Sequence, residues 1–257
     1  MARTSFKVDL VELAVVVFVM LATGWFGGKT WWQHHPSGDG MIQEEQQQLD
    51  RWARAYGTHF SRNAEEWIIR DFFHDRRGGF FLDVGAADYK FENNTYYLET
   101  GLGWHGIAVD AQQEYAAGYA AHRPQTKFFT FFVSDVSERS VDFYVPQDPF
   151  GASEARHVNE PGAGVGRRVS TITLNDLLAR EGVEHIDFVS MDIEEAEPKA
   201  LAGFNIERYQ PALLCVEVHP EVRQHILDYF HRHDYEVVGR YLPSDHLNLY
   251  FMPDGAK

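Results

Sequence analysis

The sequence has one cysteine in 257 residues, and basic residues are much scarcer than acidic ones. A single thiol, Cys215, excludes an intramolecular disulfide and a zinc site built from several cysteines. Cys215 lies in an apolar run, so we interpret it as a small buried hydrophobic side chain. Lysines and arginines number 23 against 38 aspartates and glutamates, which gives a formal net charge of −15. This acidic surplus repels phosphate backbones and argues against a nucleic acid partner.

Charge is also missing from one segment near the N-terminus. Residues 13–28 read LAVVVFVMLATGWFGG, at the short end of what spans a hydrocarbon core of about 30 Å. Aromatic side chains of the kind found at membrane interfaces end or follow this run: Trp25, Trp31 and Trp32. We therefore predict a single-pass membrane anchor over residues 1–32. A cleaved signal peptide with a small-residue site at 22–24 is one alternative, and an amphipathic or core helix is another.

Two further regions follow the predicted anchor. Residues 33–78 are interpreted as a polar linker and N-terminal helices, and residues 79–257 as the main domain. In that domain, short apolar runs alternate with helical patterns, which predicts a parallel sheet with helices on both faces. The predicted strands are Gly79–Val84, Gly106–Asp110, Lys127–Val133, Ile186–Met191 and Pro211–Val218, followed by an antiparallel pair, Tyr235–Tyr241 and Leu247–Met252. The expected fold is α/β and Rossmann-like, with a mostly parallel seven-stranded sheet.

One long stretch of this domain resembles neither a strand nor a helix. Residues 146–167 are rich in proline and glycine and are predicted to form a loop, while 141–145 is predicted to be a hairpin partner or an excursion. The glycines of 162–166 follow this loop rather than a strand, so they fail the context test for a phosphate-binding loop. We interpret them as part of a mobile lid near the site.

In an open parallel sheet, ligands bind beyond the carboxyl ends of the strands. The first predicted strand ends in Asp83 and Gly85, and glycine there lets the backbone approach a ligand closely. The second strand ends in Asp110, which is placed to accept hydrogen bonds from ribose hydroxyls. The G-x-G-x-x-G pattern that cradles a pyrophosphate is missing. The pattern therefore favours an adenosyl ligand without phosphates over a nicotinamide dinucleotide.

Polar residues follow the other predicted strands as well. Ser134 and Asp135 follow the third strand, where they can read an adenine edge or cap a turn. After the fourth strand, acids that can orient a hydroxyl, a metal or an amine, or simply favour a helix N-terminus, stand at 192, 194 and 197. Glu217 interrupts an apolar strand, and a buried acid needs a partner or a function. His219 suits a general base, although a histidine before a proline is also a common turn residue.

Two blocks of the sequence together resemble FkbM-type methyltransferases. They are FLDVGAADYKFENNTYYLE with GWHGIAVDAQ, and IDFVSMDIEEAEPKALAGF with PALLCVEVH. The resemblance implies a class I methyltransferase fold, S-adenosylmethionine as cofactor, and O-methylation of a hydroxyl on a sugar, a lipid-linked glycan or a metabolite. The predicted cofactor-binding residues come from the first block and from the pair after the third strand. They are Asp83, Gly85, Ala86, Asp88, Asn94, Asp110, Ser134 and Asp135.

The second block and the strand after it supply the predicted catalytic residues, Asp192, Glu194, Glu217 and His219. The base is either Asp192, or His219 oriented by Glu217. A divalent metal on Asp192 and a neighbouring carboxylate is compatible with the residues, but no spacing demands one and no metal site is predicted. Two departures, Met191 for the family's usual lysine and Glu195 for its usual glycine, affect the catalytic details, and Glu195 is expected to narrow the acceptor cleft.

The same departures leave a second function open, a catalytically inactive, membrane-tethered Rossmann-like binding or scaffold module. The positive-inside rule weakly favours an external domain, since Arg3 and Lys7 precede the anchor and Lys29 follows it. Because S-adenosylmethionine is made in the cytosol, we nevertheless predict a cytoplasmic catalytic domain. The expected partners are a small-molecule, glycan or lipid acceptor and the membrane.

Overall fold

The computed structural model describes residues 38–146 and 164–255. The predicted anchor, residues 1–32, lies outside them, and none of the described helices is long and apolar enough to cross a bilayer. The chain divides into two compact units, residues 1–48 and 49–257. The described helices are α1 Gly38–Tyr56, α2 Glu65–Phe73, α3 Tyr96–Thr100, α4 Ala116–His122, α5 Leu174–Arg180, α6 Glu197–Ala202, α7 Ile206–Tyr209 and α8 Arg223–Arg232.

The main sheet has seven strands in the order β3-β2-β1-β7-β8-β10-β9. They are β1 Phe80–Val84, β2 His105–Asp110, β3 Thr126–Thr130, β7 Phe188–Met191, β8 Leu213–Glu217, β9 Tyr235–Val237 and β10 Asn248–Pro253. The first five named pair in parallel, and β10 runs antiparallel to both β8 and β9. The predicted seven-stranded, mostly parallel sheet is therefore confirmed. Its strand order reverses between β1 and β7, which is where such sheets bind ligands.

A second sheet carries the greatest departure from the predicted elements. It joins β4 (Phe132–Val133), β5 (Ser140–Pro146) and β6 (Gly164–Ile172) in the order β4-β6-β5. The predicted strand 127–133 thus breaks at Phe131, because the chain leaves the main sheet there to pair with β6.

The prediction of a loop over residues 146–167 is wrong at both of its ends, where the structure has strands. Pro146 pairs with Gly164 at the end of an antiparallel ladder that begins at Ser140 and Ser170. A long ladder between segments distant in sequence outweighs the local turn propensity of proline and glycine. Of the residues 162–166 that were interpreted as part of a mobile lid, 164–166 belong to β6 and pair with β5, so that interpretation is wrong for them, and 162–163 lie outside the described residues.

Apolar side chains from α2 cover one face of the main sheet. Ile68, Ile69 and Phe73 are buried there with Phe81 of β1, and the Phe73 ring meets Trp104 edge-on at 5.0 Å between centroids. Each such buried side chain contributes about 1.5–3 kcal/mol. Residues 49–78, assigned from the sequence to a linker and N-terminal helices, therefore include a helix that belongs to the same compact unit as the sheet.

The opposite face of the main sheet packs on α5, α6 and α8. Leu82 and Val84 of β1 contribute to this larger core, since side chains alternate between the two faces of a strand. Thr173 caps α5 as predicted, because its hydroxyl accepts from the Asp176 N–H at 3.0 Å. The two-layer helix arrangement fixes β1 and β7 in place from both sides.

The C-terminal antiparallel pair is confirmed, but its first strand is shorter than predicted. After Val237 the chain turns into a 3-10 helix at Gly239–Tyr241. The buried Tyr241 hydroxyl donates to the Asp71 carboxylate of α2 at 2.9 Å, and this contact draws the chain away from β10.

Candidate active site

A cavity of about 670 Å³ opens at the carboxyl edge of the main sheet. Its volume is within the range of about 300–1,000 Å³ that small-molecule sites occupy. The wall is formed by the segments that follow β1, β2 and β7, by β4 and the residue before it, by the end of β8, and by the start of β10. This is the edge at which sequence analysis placed the site.

Gly85 is the point where the β1 and β7 loops touch. Its φ is +82°, and an added Cβ would lie 1.7 Å from the carbonyl oxygen of Asp192. Neither this backbone conformation nor this approach tolerates a side chain. The Gly85 N–H also donates to the Val109 carbonyl at 2.9 Å, which ties the β1 loop to β2. The residue predicted to bring the backbone close to a ligand thus sits at the switch point.

Asp110 lies at the end of β2, beside the same loop. Its two carboxylate oxygens accept from the Ala87 N–H at 3.0 Å and from the Gln112 N–H at 2.8 Å. Burial raises the pKa of Asp110 to about 6, although both hydrogen bonds oppose the shift. A carboxylate oxygen has room for a second hydrogen bond, so Asp110 can still accept from the hydroxyls of a ribose.

Asp83 forms the floor of the cavity beneath this loop. It is buried, and it accepts from the Thr95 hydroxyl at 2.7 Å. Burial raises the pKa of Asp83 to about 6, and the hydrogen bond from Thr95 lowers it in part. Asp83 therefore presents a held negative charge at neutral pH.

The loop of residues 86–95 is fastened by two residues that sequence analysis missed. The Asn93 amide donates to the carbonyls of Ala86 and Asp88, each at 3.1 Å. The fully buried Arg123 donates to the Tyr89 carbonyl at 2.9 Å. Asn93 stands beside the predicted cofactor residue Asn94, so the repeated asparagine was an available signal. Arg123 gave none, because its contacts are distant in sequence.

Two more predicted cofactor residues line the cavity. Asp88 closes a tight turn, since one carboxylate oxygen accepts from the N–H groups of Lys90 at 2.9 Å and Phe91 at 2.8 Å. The Asn94 amide donates to the Ser190 hydroxyl at 3.1 Å and so links the β1 loop to β7. Ala86 lies in the wall beside them.

Ser134 and Asp135 do not belong to the described wall of the cavity. The third-strand region contributes Phe131, Phe132 and Val133 instead. The Ser134 hydroxyl donates to Asp135 at 3.0 Å, and its N–H donates to the Ile172 carbonyl in the second sheet. The prediction that this pair reads an adenine edge does not fit this placement, because the strand has already left the main sheet.

The other end of the cavity gathers the predicted catalytic acids. Asp192 is exposed to the cavity and hydrogen-bonded to Glu217, at the end of β8. Burial within the surrounding protein, and then the neighbouring Glu217, raise the pKa of Asp192 well above its usual range. Burial likewise raises the pKa of Glu217 to about 7 and that of Glu194 to about 7. Carboxyl groups this close share protons near neutral pH.

His219 lies behind these acids and is not part of the described cavity wall. Its Nε2 is 2.9 Å from Glu217 Oε2 and 3.7 Å from Glu194 Oε2. The predicted pairing of His219 with Glu217 is therefore present. The position behind Glu217 suits a residue that orients the carboxylates better than one that touches an acceptor.

The turn between β7 and α6 is shaped by Glu194, Glu195 and Glu197. The first two have φ values of +53° and +71°, in the left-handed region. One oxygen of the fully buried Glu197 accepts from the Ile193 N–H at 3.0 Å. Glu195 is not among the described wall residues and lies near His219 and Glu221. The expectation that its side chain narrows the acceptor cleft is not supported.

The start of α2 and the segment before it also reach the cavity, which sequence analysis did not anticipate. Arg62, Asn63 and Glu65 are wall residues, and the Asn248 amide donates to Glu65 at 3.3 Å. Among the described wall residues, Arg62 is the one cation. The wall carboxylates number eight: Glu65, Asp83, Asp88, Glu92, Asp110, Asp192, Glu194 and Glu217. This cavity is therefore matched to a ligand that carries positive charge and no phosphate.

A Rossmann-like sheet with this acid-lined cavity at its switch point belongs to the class of α/β proteins that bind a small-molecule ligand at the carboxyl ends of their strands. The model of the FkbM methyltransferase domain matches residues 83–237, more than half of the chain, and the chain belongs to this family. The family uses S-adenosylmethionine, and the protein is a methyltransferase that depends on this cofactor. A search of curated proteins found no match.

Three solved structures illustrate the wider similarity. A TehB-like methyltransferase from Corynebacterium glutamicum is 14% identical over 83% of this chain and 100% of its own, with a TM-score of 0.44. An O-methyltransferase from Bacillus cereus in complex with S-adenosylhomocysteine is 12% identical over 91% and 95%, with a TM-score of 0.41. A Burkholderia thailandensis 1,6-didemethyltoxoflavin-N1-methyltransferase is 13% identical over 98% and 93%, with a TM-score of 0.38. At this level, the similarity carries no argument about mechanism.

The residues present fit S-adenosylmethionine. Gly85 lets the loop after β1 lie directly against Asp192 at the switch point, and Asp110 offers acceptors for the two ribose hydroxyls. The excess of carboxylates in the wall suits a cofactor whose sulfonium and ammonium groups are both cationic.

Proposed function

We propose that this protein methylates a hydroxyl group of a small-molecule or glycan acceptor, with the Asp192–Glu217 pair as the proton acceptor. S-adenosylmethionine supplies an electrophilic methyl group when it is bound. The observation that carries the proposal is the position of Asp192, which is exposed to the cavity and adjoins Gly85 at the switch point. An acceptor placed there meets a carboxylate and the cofactor loop together.

The β1 and β2 ends hold the cofactor in this scheme. Asp110 accepts from the ribose hydroxyls, and the Gly85 loop lets the backbone lie against the ligand. Asp83 supplies negative charge beneath the loop, where a cationic amino acid moiety is attracted. Asn93 and Arg123 act as positioning residues, because they fix the loop of residues 86–95 without lining the acceptor end of the cavity, where methyl transfer takes place.

At the acceptor end, the Asp192–Glu217 pair holds one proton. The Asp192–Glu217 hydrogen bond lets the pair hold a single proton between two oxygens, and Asp192 reaches the cavity. The positive charge of a bound cofactor favours the ionised form of Asp192. The carboxylate therefore becomes available as a base once the cofactor occupies the cavity. A carboxyl pair in which the pKa of both members is raised, that of Glu217 to about 7, is well matched to removing a hydroxyl proton during transfer. His219 orients Glu217 from behind.

The outer part of the wall is apolar. Phe91 is 73% exposed and Leu247 is 49% exposed, and both line the cavity with Phe143. Exposed rings and aliphatic side chains at a cavity mouth suit an acceptor with an apolar face, as a sugar ring, a lipid-linked glycan or an aromatic metabolite has. These side chains support the acceptor classes proposed here.

The uncharged run of residues 13–28 supports a further proposal, that residues 1–32 anchor the protein in a membrane with the catalytic domain in the cytosol. The cytosolic side is proposed because the cofactor is made there. Protease added to intact cells is expected to leave the domain undigested, and digestion from outside would contradict the orientation.

The function is tested by measuring methyl transfer to a panel of hydroxylated acceptors with mass spectrometry. Asp192→Asn is expected to lower kcat by about 10²–10⁴-fold while affinity for S-adenosylhomocysteine is kept, because a general base contributes about that much. The matched control is Glu195→Gln, a nearby acid outside the described wall, whose kcat should stay near that of the unaltered protein. Methyl groups found on nitrogen instead of oxygen would contradict the proposal.

A further inference from the structure

Three metal-binding side chains converge at the acceptor end of the cavity. One ligand atom from each of Glu194, Glu217 and His219 lies within 4.8 Å of the other two. Glu194 comes from the turn after β7, and the other two come from the end of β8 and the residues beyond it. The group is therefore assembled by the pairing of two neighbouring strands, and the sheet on both sides fixes its position.

The spacing of these atoms suits a metal ion better than an organic ammonium group. His219 Nε2 is 2.9 Å from Glu217 and 3.7 Å from Glu194. Adjacent ligands at about 2.1 Å from an octahedral ion lie about 3 Å apart. Acceptors arranged tetrahedrally around an ammonium at about 2.9 Å lie about 4.7 Å apart. A divalent ion thus fits between these three atoms with smaller movements than an amine would need.

Glu197 is a further buried acid beside this group that a cation would stabilise. Its side chain is fully buried, and its Oε2 has no hydrogen-bond partner among the described residues. Its other oxygen is bound to the Ile193 N–H, so the carboxyl group lies against the turn that carries Glu194. It is close enough to Glu194 and Glu217 to act on the charge of both. A fully buried carboxyl oxygen without a donor is stabilised by positive charge nearby or by a proton of its own, and burial raises the pKa of Glu197 to about 7.

His219 also belongs to another group, with Glu195 and Glu221. Glu221 is exposed, and neither of these two acids belongs to the described cavity wall. Glu194 and Glu217 both line the cavity, and their side chains are 29% and 15% exposed. The inner group is therefore the better cation site, since partly buried carboxylates lose more by remaining unpaired.

We propose that Glu194, Glu217 and His219 bind one divalent first-row cation, such as Mn²⁺, at the acceptor end of the cavity. Two carboxylates with one imidazole form a mixed oxygen and nitrogen donor set of the kind these ions accept. Three protein ligands leave coordination positions for solvent or an acceptor hydroxyl, whose acidity a bound cation would increase. The proposal deepens the proposed function, but cation binding itself requires neither cofactor nor acceptor.

The test is titration of the EDTA-treated full-length protein with Mn²⁺ alone, followed by electron paramagnetic resonance of free Mn²⁺ and by calorimetry. One Mn²⁺ per chain is expected for the unaltered protein. Glu217→Gln and His219→Gln should each weaken Mn²⁺ binding by about 10-fold or more, as loss of an important metal contact does. Glu221→Gln is the matched control and should bind Mn²⁺ like the unaltered protein, because it changes the outer group alone.

Two results would overturn the site. One is that the unaltered protein binds no Mn²⁺, and the other is that Glu221→Gln loses Mn²⁺ binding while Glu217→Gln keeps it. Thermal unfolding of each variant identifies any loss of binding that is caused by loss of the fold, and Glu194→Gln then serves as a further variant of the same site. Failure of the proposed O-methylation is seen separately, as methyl groups on nitrogen instead of oxygen with Mn²⁺ binding intact.

Discussion

The two ends of the cavity use carboxylates in opposite ways. At the cofactor end, Asp110 is held by backbone N–H groups and Asp83 by the Thr95 hydroxyl, and the pKa of each is raised to about 6. At the acceptor end, Asp192 and Glu217 face each other, and the pKa of Glu217 is raised to about 7 and that of Asp192 well above its usual range. Carboxylates with donors act as fixed acceptors, and carboxylates that face one another exchange protons. The contrast separates binding from proton transfer within one cavity.

The largest expected effect on stability comes from disrupting the contact between Gly85 and Asp192, where the two ends of the cavity meet. Gly85→Ala should destabilise the protein by more than about 3 kcal/mol, because the new Cβ would overlap the Asp192 carbonyl at a positive φ. Urea unfolding measures this change. Gly239→Ala is the control, since a Cβ there meets nothing within 4 Å, and it should change stability by less than about 0.5 kcal/mol. Equal effects of the two substitutions would show that the junction is not tight.

A smaller effect is expected at the cofactor end, where Asp83 makes the stability of the protein depend on pH. The folded-state pKa of Asp83 is raised from 3.8 to about 6, so the folded protein binds its proton more tightly than the unfolded chain does. The contribution of Asp83 to stability is therefore greatest below about pH 4, is lost as the pH rises to about 6, and is constant above that. The loss amounts to about 2–3 kcal/mol.

Comparison with Asp83→Asn isolates this contribution, because asparagine does not titrate. The difference in the free energy of unfolding between the two proteins, measured from pH 4 to pH 7, should shift by that amount. A difference that is flat across this window would contradict the raised pKa of Asp83.

The smallest effect concerns the turn that carries the acceptor-end acids. Glu195 has a φ of +71°, a conformation that costs a residue with a side chain about 1 kcal/mol. Glu195→Gly should therefore stabilise the protein by up to about 1 kcal/mol. Glu207→Gly, in the first turn of α7, should instead be destabilising by up to about 1 kcal/mol, and thermal unfolding compares the two. Stabilisation by both or by neither would show that strain at 195 is not the cause.

The cofactor end was the part most open to prediction from sequence. Gly85 and Asp110 each follow a short buried strand, and the rule that ligands bind at strand ends needs no knowledge of distant contacts. Asp83, Asp192 and Glu217 were found in the same way. Their closeness in space depends on the strand order β1-β7-β8, which the alternating pattern does not give.

The misplaced and missed residues depend on contacts between distant segments. Ser134 and Asp135 were placed at the site because Phe131 was expected to continue β3, whereas β6 draws the chain into a second sheet. Arg62 and Glu65 were missed because the chain before α2 showed no local sign of returning to the start of β10. Pairing partners of this kind cannot be derived from local periodicity.

The central claim is that a carboxylate at the end of β2 and a bare backbone at the β1 loop receive an adenosyl cofactor, and calorimetry with S-adenosylhomocysteine tests it most directly. The unaltered protein should bind, and Asp110→Asn should bind about 100-fold less tightly, since two hydrogen bonds to a charged acceptor are weakened. Asp135→Asn should bind as the unaltered protein does. Loss of affinity below about pH 6, where Asp110 takes up a proton, should disappear in Asp110→Asn. Equal affinity of Asp110→Asn and the unaltered protein would contradict the account.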